Sequence, residues 1–230
     1  EAAEQGPVIM DTSFGPSIPE TLEELCAPSR AALLVNDMQA GIVSQLPTGD
    51  VIVERVGTLV RSARAAGMRI VYSRHYNVPL GWAGVGQLRM AKTWQRARRA
   101  SDLRPVLQHG SADFQIVDAL APRPEDVVLD KVTMSAFEGT PLALLMRDLG
   151  LCSVVLAGIA LEVGIEPTAR HGADLGFIPV VVQDACGSGH EDAAERSIAA
   201  LRFAGDSVLT DLTSVCNVLQ ATARGSPKSS

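Results

Sequence analysis

The sequence has few aromatic residues, since phenylalanine, tryptophan and tyrosine together make up 4% of its 230 residues. Alanine, valine, leucine and glycine dominate instead, a composition that favours helices packed on parallel strands over a β-sandwich. Single cores stop growing at about 250–300 residues. A chain of this length therefore suits one α/β domain.

Positive charge is also scarce. The 20 lysines and arginines are outnumbered by 26 aspartates and glutamates, which leaves a formal net charge of −6. Nucleic-acid-binding surfaces neutralise phosphates with basic side chains, so we expect no nucleic-acid partner. No apolar run reaches the ~20 residues of a membrane helix, because Glu162 interrupts the longest one. We therefore expect a soluble protein with no membrane contact.

Cysteine is rare and scattered, and no C-x-x-C pair is present. A zinc ribbon and a secreted disulfide framework are both disfavoured by this pattern. The four histidines lack the H-x-x-x-H and H-E-x-x-H spacings of zinc helices, so we predict no metal and no other cofactor. The opening "EAAEQGPVIM" has neither the basic nor the apolar region of a secretory signal. The expected compartment is the cytoplasm.

Apolar runs alternate with helical patterns along most of the chain. The first unit is the strand "AALLVND" (31–37), the helix "VIVERVGTLVRSARAAG" (51–67) and the strand "MRIVYSR" (68–74). Further strands are predicted at 126–131, 152–158, 177–185 and 206–211, with helices at 140–150, 164–175, 191–205 and 212–223. Strands without polar alternation are buried on both faces, which predicts a mainly parallel sheet between two helical layers.

Three regions are predicted by composition: an N-terminal arm (1–27), the α/β domain (28–223) and a disordered tail (224–230). Within the domain, residues 75–125 are irregular and contain several glycines and prolines. A long insertion in a compact domain usually forms a lid or an oligomer contact.

Ligands of open α/β sheets bind outside the carboxyl ends of the strands. Asp37 closes the first predicted strand, and Lys131 closes the third. If both side chains reach one pocket, the lysine would hold the carboxyl ionised until substrate charge intervenes. A purely structural ion pair that caps the sheet is the alternative, and the spacing leaves both open.

Three segments resemble signature blocks of the isochorismatase-like hydrolases, also called the cysteine hydrolase superfamily. They are "LLVNDMQAGIV", "DKVTMSAFEGTPLALLMRDLG" and "VVLAGIALEVGIEPTARHGADLGFIPVVVQDA". The resemblance spans approximately residues 28–211. It implies a three-layer α/β/α sandwich with a six-stranded, mainly parallel sheet, a small-molecule substrate, and a homo-oligomer, either a dimer or a tetramer.

The resemblance matches Asp37 and Lys131 to the acid and lysine of the family. Gly164 falls where amidohydrolase members, such as nicotinamidases and carbamoylsarcosine amidases, carry a nucleophilic cysteine. Without a thiolate, no acyl-enzyme forms at that position. Isochorismatases that cleave vinyl ethers also have glycine there and use their aspartate as a general acid. We therefore predict that Asp37, Lys131 and Gly164 form the catalytic centre for a small polar or anionic molecule, with vinyl-ether or other C–O cleavage favoured.

The predicted substrate-binding residues are His75, Arg89, Ile159, Ala160 and Glu162. A non-proline cis peptide of the family would fall between Ile159 and Ala160, and backbone N–H groups from Ala160 to Gly164 would then stabilise negative charge. Arg89 loosely matches an arginine that contacts a substrate carboxylate. Val78 replaces a glutamine of the isochorismatases, so the resemblance does not imply a chorismate-derived substrate.

Two alternatives stay open. One is hydrolysis of a C–N bond in an amide or imide, either by water that Asp37 or Glu162 activates or by Cys186, which follows the fifth strand as a possible alternative nucleophile. The other is a relative without catalytic activity that binds a ligand.

Overall fold

Six strands form one parallel sheet in the computed structural model, which describes residue 15 and residues 17–225. The strands are β1 (Ala31–Asn36), β2 (Arg69–His75), β3 (Val127–Lys131), β4 (Ser153–Ile159), β5 (Ile178–Gly187) and β6 (Val208–Thr210). Their order is β3-β2-β1-β4-β5-β6, and every neighbouring pair is parallel. The predicted α/β fold with a six-stranded sheet is confirmed, and the sheet is parallel throughout.

Helices cover both faces of this sheet. They are α1 (Leu22–Leu25), α2 (Ala40–Val43), α3 (Gly49–Ala65), α4 (Val85–Trp94), α5 (Leu142–Asp148), α6 (Glu166–Asp174), α7 (Glu191–Ala204) and α8 (Leu212–Gly225). Residues of α3 and α8 pack on the face that carries Leu33 and Val35, and residues of α5, α6 and α7 pack on the face that carries Leu34. Successive β1 residues point to opposite faces, so burial on both sides explains why the strand is wholly apolar up to its last residue.

Part of the predicted N-terminal arm belongs to the packed domain. Thr21 and Glu24 form a capping box that starts α1, and Leu25 and Cys26 are buried in the same apolar cluster as α8. At the other end, α8 continues to Gly225, into the predicted tail. The remaining parts of the predicted arm and tail, residues 1–14, 16 and 226–230, lie outside the described residues.

The predicted insertion, 75–125, contains α4 and short 3₁₀ turns rather than strands. It returns to the sheet edge through an antiparallel bridge between Gln39 and Ile116. Trp82 and Val85 remain largely exposed. Within the described residues, no helix has the length and apolar character needed to cross a membrane.

The strand order creates a crevice at the carboxyl ends of β1 and β4. The chain moves outward from β1 toward β2 and β3 on one side, and from β4 toward β5 and β6 on the other. Connections that diverge in this way leave the space between the two central strands open, and ligands of α/β proteins bind there. Asp37 follows β1 and Ala160 follows β4, so both residues lie at this crevice.

Close packing of β1 on β4 requires a glycine at position 158. Gly158 has a φ of +123°, and a Cβ atom there would lie 2.2 Å from the carbonyl oxygen of Asn36. We expect Gly158→Ala to lower the free energy of unfolding by about 3 kcal/mol or more, because backbone cannot move aside cheaply. Urea denaturation measures this change.

Gly86→Ala is the matched control for this measurement. Gly86 lies in α4, and a Cβ atom there meets nothing within 4 Å. Alanine is expected to change the stability by less than about 1 kcal/mol, in the stabilising direction. Similar unfolding midpoints for the two variants would contradict the steric argument.

Candidate active site

Asp37 and Lys131 form a buried ion pair at the carboxyl edge of the sheet. Lys131 Nζ lies 2.6 Å from Asp37 Oδ2, and the side chains are 8% exposed for the aspartate and 1% for the lysine. The ammonium also donates to the carbonyl oxygens of Thr133 and Met134, each at 3.2 Å. These three acceptors use all three N–H donors of the lysine, which holds the ammonium against the carboxyl.

The backbone of Asp37 turns sharply at the end of β1. Its φ is +50°, in the left-handed region that residues other than glycine seldom adopt. Asp37 N–H donates to the Ser73 carbonyl at 3.1 Å, and the Ser73 hydroxyl donates to Asp37 Oδ1 at 2.8 Å. Contacts from β2 and β3 therefore fix the carboxyl, and such strained conformations are often found at functional sites.

A cavity of about 560 Å³ opens above this edge. Five of the predicted residues line it: Asp37, His75, Ile159, Ala160 and Gly164. Met90 and Trp94 of α4 form part of the wall. The insertion therefore forms part of the cavity wall, and its role as a lid or an oligomer contact stays a prediction.

The cavity wall has acidic but no basic charged side chains among the described residues. Its charged side chains are Asp37 and Asp113, and none of the described lining residues is a lysine or arginine. Burial lowers the pKa of His75; the nearby ammonium of Lys131 lowers it further, and Asp37 opposes both. The imidazole is thus neutral at pH 7, and the wall presents no fixed positive charge to an anion.

Four other predicted residues are not part of the cavity wall: Lys131, which lies behind Asp37, and Arg89, Glu162 and Cys186. Arg89 is exposed on α4. Glu162 accepts a hydrogen bond from the His190 N–H at 2.7 Å, which holds its carboxylate toward the loop before α7. Cys186 is buried, and burial raises the pKa of its thiol to about 12. Such a thiol is poorly suited to act as a nucleophile at neutral pH.

The peptide bond between Ile159 and Ala160 is cis, as the family resemblance implies. A π-helical turn, Leu161–Ile165, follows it directly. Gly164 therefore lies inside this turn, three residues after its start, whereas the sequence pattern predicted a helix that begins at 164.

Most backbone N–H groups of this turn are already engaged. Those of Val163, Gly164 and Ile165 all donate to the Ala160 carbonyl oxygen, at 3.2, 2.8 and 3.1 Å respectively. The expectation that the N–H groups from Ala160 to Gly164 would face a ligand is therefore wrong for Val163 and Gly164. The N–H groups of Ala160 and Leu161 precede the first intrahelical bond, where helices leave donors available.

Asn36 explains why position 164 is glycine. A Cβ atom on Gly164 would lie 2.6 Å from Asn36 Nδ2. That nitrogen cannot move freely, because it donates to the Ile159 carbonyl at 2.7 Å and Asn36 is fully buried. The Asn36 amide thus takes the space that a side chain at 164 would need.

Sequence reasoning missed three buried polar residues around the site: Asn36, Ser73 and Gln39. Gln39 donates to the carbonyls of His75 and Phe114 at 3.0 and 2.9 Å and accepts from the His75 N–H at 2.6 Å, so it ties the end of β2 to the insertion. A usable signal was present, since Asn36 and Ser73 are polar residues near the ends of otherwise apolar runs.

No group of three or more His, Cys, Asp or Glu side chains in the described part of the chain could hold a metal ion.

Residues 31–213 match the family model described as the isochorismatase domain. The ureidoacrylate amidohydrolase RutB of Klebsiella pneumoniae subsp. pneumoniae is 34% identical over 185 residues, which cover 74% of this chain and 78% of that protein.

Two solved structures share the fold. A cysteine hydrolase from Pseudomonas syringae pv. phaseolicola has a TM-score of 0.71 at 24% identity, with 85% of this chain and 94% of that chain covered. A pyrazinamidase of Pyrococcus horikoshii in complex with zinc has a TM-score of 0.67 at 21% identity, with 79% and 99% covered. From the family match and the 34% identity together, the chain belongs to the isochorismatase domain family and is an isochorismatase-like hydrolase.

Proposed function

We propose that this hydrolase works without a thiol nucleophile: water attacks the substrate, and Asp37 transfers the protons. The observation that carries the proposal is the packing of Gly164 against Asn36, which leaves no room for a nucleophilic side chain at that position. Cys186 does not replace it, because its thiol is buried away from the cavity wall and its pKa is raised to about 12.

Cleavage of a C–O bond in a vinyl ether needs little besides a positioned acid. Protonated Asp37 donates its proton to the enol-ether carbon, and the electron pair of the double bond forms the new C–H bond. Water then adds to the oxocarbenium ion, and the hemiketal collapses to a ketone and an alcohol. Lys131, 2.6 Å from Asp37 Oδ2, stabilises the carboxylate that the proton transfer leaves.

The cavity favours an uncharged substrate. Its wall has no lysine or arginine among the described residues, and Asp113 adds a carboxylate, so an anionic group would enter without a partner and lose its hydration. Apolar side chains such as Trp94 and Met90 instead suit an apolar body. The proposal therefore narrows the expected substrate from a polar or anionic molecule to a small uncharged one.

A second candidate is hydrolysis of a C–N bond in an amide or ureide. It is favoured by the 34% identity to ureidoacrylate amidohydrolases. Ionised Asp37 would take a proton from water as it attacks the carbonyl carbon and would return it to the leaving nitrogen. The N–H groups of Ala160 and Leu161 would stabilise the oxyanion.

Asp37→Asn is expected to reduce kcat by about 100- to 10,000-fold, the usual contribution of general acid–base catalysis. Cys186→Ala and treatment with iodoacetamide are expected to leave kcat unchanged, and hydroxylamine should trap no acyl group. Steady-state kinetics and mass spectrometry of the protein measure these outcomes. Loss of turnover in Cys186→Ala, or a covalent acyl adduct, would show that the mechanism depends on a thiol.

The bond that breaks is identified with substrates that differ only at the reacting group. Enol ethers and ureides with the same apolar body are compared, each with and without a carboxylate. Release of ketone reports cleavage of the enol ether, and release of ammonia reports hydrolysis of the ureide. We expect turnover of the uncharged enol ether and a lower kcat/KM for each carboxylate analogue. Ammonia release alone would support the second candidate, and a preference for the anions would overturn the assignment of an uncharged substrate.

A double-mutant cycle tests the contact between Asn36 and Gly164. Gly164→Ala is expected to lower the free energy of unfolding by about 1–3 kcal/mol, because the methyl group meets a hydrogen-bonded amide. In an Asn36→Ala background the same change should cost about 1 kcal/mol less. Urea denaturation of the four proteins gives the coupling, and additive effects would mean that the two positions do not compete for space.

A further inference from the structure

Ser73 stands between two oxygen atoms that both require its hydrogen. Its Oγ lies 2.8 Å from Asp37 Oδ1 and 3.0 Å from Asn36 Oδ1. A hydroxyl group has one hydrogen to donate and two lone pairs to accept with. Ser73 therefore serves only one of these two oxygens as a donor at any time.

The orientation of the Asn36 amide is set from its other side. Nδ2 donates to the Ile159 carbonyl at 2.7 Å, and a flipped amide would place two oxygens against each other there. Oδ1 must consequently face Ser73. Asn36 is 0% exposed and Ser73 1%, so solvent does not supply the missing donor.

The two protonation states of Asp37 differ in how many of the buried oxygens of Asp37, Ser73 and Asn36 have a hydrogen-bond partner. With Asp37 ionised, Ser73 donates to Asp37 Oδ1, and the buried Asn36 Oδ1 has no donor among the described residues. With a proton on Asp37 Oδ1, that O–H donates to Ser73 Oγ, and Ser73 donates to Asn36 Oδ1. Every buried oxygen then has a partner, and unsatisfied buried groups are costly.

We propose that Asn36 and Ser73 form a hydrogen-bond relay that stabilises the protonated form of Asp37. Asn36 is then a positioning residue, since it is not among the residues that line the cavity and acts through Ser73. The relay deepens the proposed function and rests on it for its catalytic meaning, because a protonated Asp37 is the form that donates to a vinyl ether. The proton comes from water and returns to it within each turnover.

Other ionisable groups around Asp37 act in different directions. Lys131, from β3, donates to Oδ2 and favours the ionised carboxyl. His75, from β2, has a pKa lowered mainly by burial. Asp113, from the insertion, shares the cavity wall, and the hydrogen bond from the Leu107 N–H lowers its pKa. The relay acts against the ammonium, in the same direction as the burial of Asp37 and the Asp113 carboxylate.

The test follows the Asp37 carboxyl directly by infrared titration of the full chain without substrate. The band of the protonated carboxyl is assigned as the one that Asp37→Asn removes. In Asn36→Leu, the acceptor for Ser73 is gone, so the midpoint of this band is expected to move to lower pH by about one unit, the worth of one buried hydrogen bond. Asn36→Val removes the same oxygen and should give the same shift if the leucine variant does not fold.

A Ser73→Ala background provides the matched control. Without the hydroxyl, Asn36 has no route to Asp37, and Asn36→Leu is expected to leave the midpoint unmoved. An unchanged midpoint in both single Asn36 variants would overturn the relay. An equal shift of the midpoint with and without the Ser73 hydroxyl would also overturn the relay. It would mean that Asn36 acts on Asp37 through packing or through its amide dipole.

The pH dependence of kcat/KM separates the relay from the proposed function. If Asp37 acts as a general acid, the alkaline limb of the profile moves with the infrared midpoint, and activity on that limb falls about tenfold in Asn36→Leu. An infrared shift without a change in the alkaline limb would confirm the relay and refute the general-acid role.

Discussion

The site depends on a charge pair that is buried where the sheet ends. An aspartate and a lysine taken out of water lose hydration, and they are tolerated only when each has further partners. Lys131 has two backbone carbonyls in addition to Asp37, and Asp37 has Ser73. These contacts join β1, β2 and β3 at one point, so the geometry of the sheet edge and the state of the carboxyl are linked.

The second constraint is the packing of the Asn36 side chain against Gly164, between the ends of β1 and β4. Asn36 fills the space next to Gly164 and bonds to the strand end at Ile159. A glycine at this position is therefore part of a packed arrangement that includes a buried amide. The same amide is joined to Asp37 through the Ser73 hydroxyl, so one buried side chain contacts both Gly164 and the residue that contacts the Asp37 carboxyl.

The side chains that line the cavity limit which molecules can bind next to Asp37. α4 brings Met90 and Trp94 over the crevice, while neither of its cationic residues, Arg89 and Lys92, is part of the cavity wall. The lysine that belongs to the site lies behind Asp37 and uses its donors within the protein. Among the described residues, Lys131 is therefore the cation next to Asp37, and no lysine or arginine lines the cavity.

The sequence by itself determined the fold class and the six strands, because wholly apolar strands and helical periodicity are local patterns that burial imposes. The family followed from the resemblance of three segments to its signature blocks. The sequence also determined that Asp37, Lys131 and the Ile159–Ala160 turn meet, since parallel strands end at one edge. Only the tertiary structure decided which side chains reach the cavity. Whether Arg89, Glu162 and Cys186 reach the cavity depends on the orientation of α4, the π-helical turn and β5. The contact of Asn36 with Ile159 joins residues that are 123 positions apart in the chain. Such long-range contacts leave no periodic signal in the sequence, so spacing alone does not reveal them.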